Sequence, residues 1–229
     1  MAGGEHTGGP DTLTRLMSPD VTRLELGPIG TNCYLVQPSG ASEAIVVDPG
    51  ADAALIRLEL ARRGARCAAI LVTHGHWDHL GAVADLAEGT GAPVHMAEDE
   101  RALLEHVNDY VPPGVRLRSW TPDVLLAGDE TLELAGLTVA TFRVPGHSPA
   151  HLAYALEGTL FSGDVLFAGS VGRTDLPGAD WDVLVASISA LANRFPPETV
   201  IYPGHGPATT IGRELETNPF LAELRAARR

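Results

Sequence analysis

Lysine is missing from this chain. All 16 basic residues are arginine, and against 29 carboxylates they leave a formal net charge of −13. The arginines form no stripe, so nothing local offsets a field that repels a phosphate backbone, and nucleic acid is excluded as a partner. Cysteine is nearly as scarce. Cys33 and Cys67 alone make no disulfide framework, and a reducing, cytoplasmic setting is the expectation. No apolar run approaches the ~20 residues needed to cross a bilayer, so no membrane partner is expected. The opening stretch MAGGEHTGGPDTLTRLMSPD has neither a basic start nor an apolar core, and does not read as a secretion signal.

What remains is the composition of an ordinary globular protein, 229 residues with 45% hydrophobic and 20% charged, enough to bury one full core. Residues 1–19, rich in Gly, Pro and Thr, read as a flexible leader, and 20–229 as a single domain.

Along that domain VTRLEL and TNCYLVQ predict an antiparallel hairpin, and AIVVDPG a buried strand that stops at a turn. Asp52 to Arg63 has helical spacing and ends at Gly64, where a left-handed cap is easy, and AAILVTH is a second buried strand. HLGAVADLAEG predicts a helix, PVHM a short strand, and EDERALLEHV a helix with an acidic first turn. The segment 108–123 has no period and reads as a long loop over one face, suited to a lid. ETLELAGLTVATFRVPGH, LAYAL and TLFSGD then predict strands in quick succession, followed by a helix from Trp181 to Arg194 and the strand TVIYPGH. Two strand-rich halves, each ending in helices, predict an α/β protein with a four-layer αβ/βα sandwich: two mixed β-sheets face to face, helices outside.

The sharpest motif is THGHWDH at 73–79, directly after a buried strand and before a helix. In an extended segment side chains two apart point the same way, so His74 and His76 suit one metal. Asp78 and His79, where the chain turns into a helix, suit a second. Three imidazoles and a carboxylate this close are costly to bury without partners. Three further strands end in a turn carrying one ligand-type residue: His147 in VPGHSPAH, Asp164 in LFSGDVLF and His205 in IYPGHGPA. Each alone reads as an ordinary turn. Strand ends of one sheet meet at one edge, so together with 74–79 they predict a shared site. His6, His95 and His106 lack such strand-end partners, and Cys33 and Cys67 read as small buried hydrophobes.

This succession, HxHxDH, then H, D and H, resembles the metallo-β-lactamase superfamily from about Leu24 to about Thr210. The resemblance implies a first metal on His74, His76 and His147, a second on Asp78, His79 and His205, and Asp164 bridging the two. Zinc is the first expectation, one or two ions per chain, with iron or manganese also suited to nitrogen and oxygen ligands. Two such ions lower the pKa of a shared water towards neutrality, so no serine or cysteine nucleophile is needed. Asp78 then doubles as the catalytic group that orients the water or takes a proton.

TNCYLV, VVDPG, GRTDLPGAD and GHGPATTIGRE are similar to the glyoxalase II-like group, whose members hydrolyse thioesters of 2-hydroxy acids such as S-lactoylglutathione. The implied partner is a small-molecule thioester. In GRTDLPGAD, Asp180 reads as a helix N-cap, while Arg173 and Asp175 read as a pair fixing a loop beside the ligands. His151, four residues after His147, is expected to hydrogen-bond near the site without ligating. About two dozen residues follow His205, so no counterpart is expected for the helical C-terminal domain that supplies basic residues for glutathione in longer glyoxalase II enzymes. The tail ETNPFLAELRAARR offers Arg225, with Arg213 just ahead of it, but reads first as a closing helix. The rival is a persulfide dioxygenase, with one iron on His74, His147 and Asp164. A binding protein with a decayed site fits less well, because no motif position is replaced, and the lack of a secretion signal argues against a β-lactamase.

Overall fold

The computed structural model describes residues 19–227, so the predicted leader lies outside the described residues except for Pro19. The first sheet begins with β1 (Asp20–Leu26), β2 (Thr31–Gln37) and β3 (Glu43–Val47), followed by α1 (Ala53–Arg62) and β4 (Arg66–Leu71). The short α2 (Trp77–Leu80) and α3 (Val83–Thr90) precede β5 (Val94–Ala97), α4 (Arg101–Glu105) and β6 (Val124–Leu126). The second half contains β7 (Thr131–Leu134), β8 (Leu137–Arg143), β9 (Leu152–Leu156), β10 (Thr159–Gly163), and the ribbon β11 (Leu166–Phe167) with β12 (Ser170–Val171). It closes with α5 (Trp181–Arg194), β13 (Val200–Pro203), β14 (Thr209–Thr210), α6 (Ile211–Thr217) and α7 (Ala222–Ala227).

One sheet has the order β1-β2-β3-β4-β5-β6, the other β14-β13-β10-β9-β8-β7. Both are mixed, because β3 to β6 run parallel beside the antiparallel β1 and β2, and β10 pairs parallel with β13 inside an otherwise antiparallel sheet.

Alternation along the strands explains the layering. On β2, Cys33 and Leu35 face the outer helices with Ile56, Leu60 and Leu86, while Tyr34 and Val36 face inward. On β9, Leu152 and Tyr154 meet those inward residues, while Ala153 and Ala155 turn outward to Leu184, Ile188 and Leu191 of α5. Central strands covered on both faces must be apolar at every position, which is why LAYAL and TNCYLVQ show no polar alternation. The result is the four-layer arrangement expected, helices, sheet, sheet, helices.

Two helical readings change. The run 79–89 is not one helix, because the Ala82 amide donates to the carbonyl of Pro49 at 2.9 Å instead of to the preceding turn. Gly81 there lies against the carbonyl of Gly50, leaving no room for a Cβ. The tail also forms two helices, broken where the Asn218 side chain accepts the Phe220 amide at 3.0 Å ahead of α7, with Pro219 unable to continue α6. The predicted Trp181–Arg194 helix stands as expected, its N-terminus capped by Asp180, which accepts from the Val183 amide at 3.0 Å.

Candidate metal centre

Every residue of the site hangs from the C-terminal end of a strand. His74, His76, Asp78 and His79 follow β4, His147 follows β8, Asp164 follows β10 and His205 follows β13. Because β8, β10 and β13 all run the same way, their ends lie on one edge, where α/β sheets place ligands. The two sheets are tied at that edge by Leu152, whose amide donates to the carbonyl of Thr73 at 2.8 Å, and by Asn32, whose amide donates to Gly204 at 2.7 Å.

His74 and His76 do converge, but not by strand alternation. The strand stops at Leu71 and the two rings are brought together by the turn after it. His74 Nε2 lies 3.0 Å from His76 Nδ1, and His76 Nδ1 lies 2.8 Å from His147 Nε2. A second group gathers beside it. His79 Nε2 and His205 Nε2 are each 3.3 Å from Asp78 Oδ2. Asp164 sits between, with Oδ1 3.4 Å from His79 Nε2 and Oδ2 3.5 Å from His147 Nε2 and 3.6 Å from His205 Nε2. The donor atoms of His74, His76 and His147 lie within 4.8 Å of one another, as do those of Asp78, His79 and His205.

The histidine tautomers follow from the far side of each ring. His79 Nδ1 meets Asp48 Oδ2 at 2.9 Å, and an ionised carboxylate only accepts, so the proton is on Nδ1. His147 Nδ1 donates to the carbonyl of Arg173 at 2.8 Å. Thr73 donates its hydroxyl to Asp48 Oδ2 at 2.7 Å, leaving its oxygen to accept from His74 Nδ1 at 3.0 Å. Three Nε2 lone pairs therefore face the centre. His79 Nε2 and Asp164 Oδ1 are buried without a hydrogen-bond partner, a costly arrangement unless a cation occupies the space. The donor set fits first-row divalent metals, zinc included.

Charge states agree. Burial, reinforced by the neighbouring imidazoles, pulls His74 well below the usual histidine range and His76 to about 4. Burial would raise Asp78, but His79, His205 and the Thr31 hydroxyl lower it to about 2. Asp164 is likewise low despite burial, through His79 and His147. His79 moves the other way: burial opposes its charge, yet the carboxylates of Asp164, Asp78 and Asp48 raise it well above the usual range. A proton there takes the place that suits a metal ion.

Several supporting residues escaped the sequence reading. Asp48, 2% exposed, is the hub behind His79 and His74, and also accepts the Thr73 amide at 2.8 Å. It ends the strand in VVDPG, the same pattern as His147, Asp164 and His205, and was legible on that ground. Thr31 donates to Asp78 Oδ2 at 2.8 Å. Glu100, also 2% exposed, accepts the Gly75 amide at 2.6 Å and the Ala150 amide at 2.9 Å, clamping the two histidine turns together. Nothing in its acidic run distinguishes it. His151 Nε2 accepts the Asp164 amide at 3.1 Å and its ring stacks on His74 at 4.6 Å, so it touches the site from behind. Arg173 and Asp175 pair at 2.6 and 2.7 Å, though Arg173 supports His147 through its backbone carbonyl.

The centre opens on a cleft of about 710 Å³ lined by Ile29, Trp77, Leu103, Tyr110, Pro112 and Leu176 among others. The predicted lid segment contributes Tyr110, Val111 and Pro112 to its wall. No helix among the described residues is long and apolar enough to cross a membrane.

The profile of the Metallo-beta-lactamase superfamily matches residues 26–205. Hydroxyacylglutathione hydrolase GloC of Haemophilus influenzae is 32% identical over 198 residues, covering 83% of this chain and 92% of that protein. The crystal structure of BLEG-1, a B3 metallo-beta-lactamase, superposes with a TM-score of 0.84 at 39% identity, covering 89% of this chain and all of that one. TTHA1623 in a di-iron-bound form superposes with a TM-score of 0.72 at 40% identity, covering 88% and 100%. This chain belongs to the metallo-β-lactamase superfamily and is a metallo-hydrolase of that family.

Proposed function

We propose that the protein is a two-metal thioesterase acting on thioesters of 2-hydroxy acids, of the kind represented by S-lactoylglutathione. The observation that carries this reading is Asp164, whose two carboxylate oxygens face the two histidine groups from between them. His74, His76 and His147 would hold one ion, Asp78, His79 and His205 the other. Zinc is the proposed metal, and the same ligands suit iron or manganese. When bound, the ions supply a water acidified towards neutrality and a positive field for the developing oxyanion.

The chain's own residues complete the chemistry. Asp78, ionised and anchored by Thr31, orients the attacking water and accepts its proton. Water oxygen bonds to the acyl carbon, the carbon–sulfur bond breaks, and the proton passes to the departing sulfur, giving acid and thiol. Asp48, Glu100 and His151 hold the ligands from behind, so little reorganisation is needed during reaction. The likeness to GloC supports the thioester assignment. The likeness to BLEG-1 puts a cyclic amide on the list of bonds to be assayed.

Asp164→Ala is expected to abolish turnover and lower metal content, and His205→Ala to lose one ion and most of the rate. Near-normal turnover with two ions retained in either variant, measured by elemental analysis and thiol release, would overturn the assignment. Faster hydrolysis of a chromogenic cephalosporin than of any thioester would move the substrate from thioester to β-lactam.

A further inference from the structure

The cleft in front of the metal centre has an unusual charge balance for a site facing acyl–thiol conjugates. Ile29 and Tyr110, each about half exposed, stand at its rim, and Trp77, Leu103, Pro112 and Leu176 continue an apolar wall. Setting the site histidines aside, Arg173 is the one cation among the described residues that line it, and Asp109 lines it too. The Arg173 guanidinium is already gripped by both oxygens of Asp175. That exposed pair is weak by itself, but an incoming carboxylate would gain Arg173 only by standing beside the released Asp175. No lysine exists to help. The tail arginine that the sequence offered is engaged elsewhere, since Arg225 donates to the carbonyls of Glu216 and Asn218, and neither it nor Arg213 lines the cleft. A net charge of −13 adds a long-range field that disfavours anions.

We propose that the thiol half of the substrate is uncharged and apolar, so that a thioester of a compact neutral thiol is the preferred substrate over that of a dicarboxylate such as glutathione. This rests on the thioesterase reading above. Apolar surface on the thiol is removed from water against Tyr110 and Leu176, whereas the two carboxylates of glutathione would lose hydration without gaining a free cation.

The test compares three lactoyl thioesters that differ only in the thiol, those of glutathione, N-acetylcysteamine and benzyl mercaptan, on the full chain loaded with metal. The neutral pair are expected to exceed the glutathione thioester in kcat/KM by at least about tenfold, mostly through KM. Asp175→Asn, which frees Arg173, should raise the glutathione thioester several-fold relative to the N-acetylcysteamine one, and Tyr110→Asp should lower the benzyl thioester most. A glutathione thioester as good as or better than the neutral ones overturns the inference and leaves the thioesterase reading standing. No hydrolysis of any of the three by protein carrying two ions overturns that reading, and the inference with it.

Discussion

A histidine can offer Nε2 to a metal only if its proton sits on Nδ1, and in this protein that choice is made largely by one carboxylate. Asp48 receives His79 directly and His74 through the Thr73 hydroxyl. Asp48→Asn keeps the shape but exchanges one acceptor oxygen for an amide donor, which can no longer receive all three hydrogen bonds. The expected result is a loss of metal affinity of roughly 10–100-fold with the far-ultraviolet circular dichroism unchanged. Competition with a chromophoric chelator measures it, and wild-type affinity in the variant would contradict the role given to Asp48. At this scale the sequence was most informative about residues that end strands, because a polar group after an apolar run has few reasons to be there. Asp48 fits that pattern. Glu100 does not, since its function depends on two backbone amides from distant turns, and no local periodicity encodes such a meeting.

Among the elements, strands were easier to read than helices. A strand covered on both faces must be apolar throughout, as LAYAL is, and a helix such as α5 carries both its period and its cap, Asp180. The break at Gly81 comes from a tertiary bond to Pro49, which a single-sequence period cannot foresee, whereas the one at Asn218 is local, made by its own cap on Phe220 and by Pro219. The same scale explains how two sheets share one site. Glu100 fastens the turn after β4 to the turn after β8, so the histidines carried by the two sheets keep their spacing. Glu100→Ala leaves two buried amides without acceptors, each costing about 1–3 kcal/mol. Urea unfolding of the metal-free protein should therefore show a loss of roughly 2–6 kcal/mol, a sum of those two penalties. Glu100→Gln, keeping one acceptor, should fall between. A variant within error of wild type would mean that solvent replaces Glu100 and that the clamp is not structural.

For the molecule as a whole, the four layers and the edge where the histidines and aspartates gather were legible, because element order and strand-end residues together leave few other arrangements. The apolar cleft was not, since its wall joins residues as far apart as Ile29, Tyr110 and Leu176. A centre with unpartnered buried atoms at His79 and Asp164 should make the fold depend on its ions. With free metal a thousandfold above its dissociation constant, linkage gives about 4 kcal/mol, or roughly 8–16 °C in Tm for a chain of this size. A chelator should produce a downshift of that order, restored by added zinc, and an unchanged Tm would mean that the centre is stable without metal.

The most direct measurement is elemental analysis of the purified protein together with two assays on the same sample, thiol release from lactoyl thioesters and oxygen uptake with glutathione persulfide. The account predicts close to two metal ions per chain, thiol release and no oxygen uptake. One iron per chain with oxygen uptake would contradict it, assigning His74, His147 and Asp164 to a dioxygenase centre on the same fold.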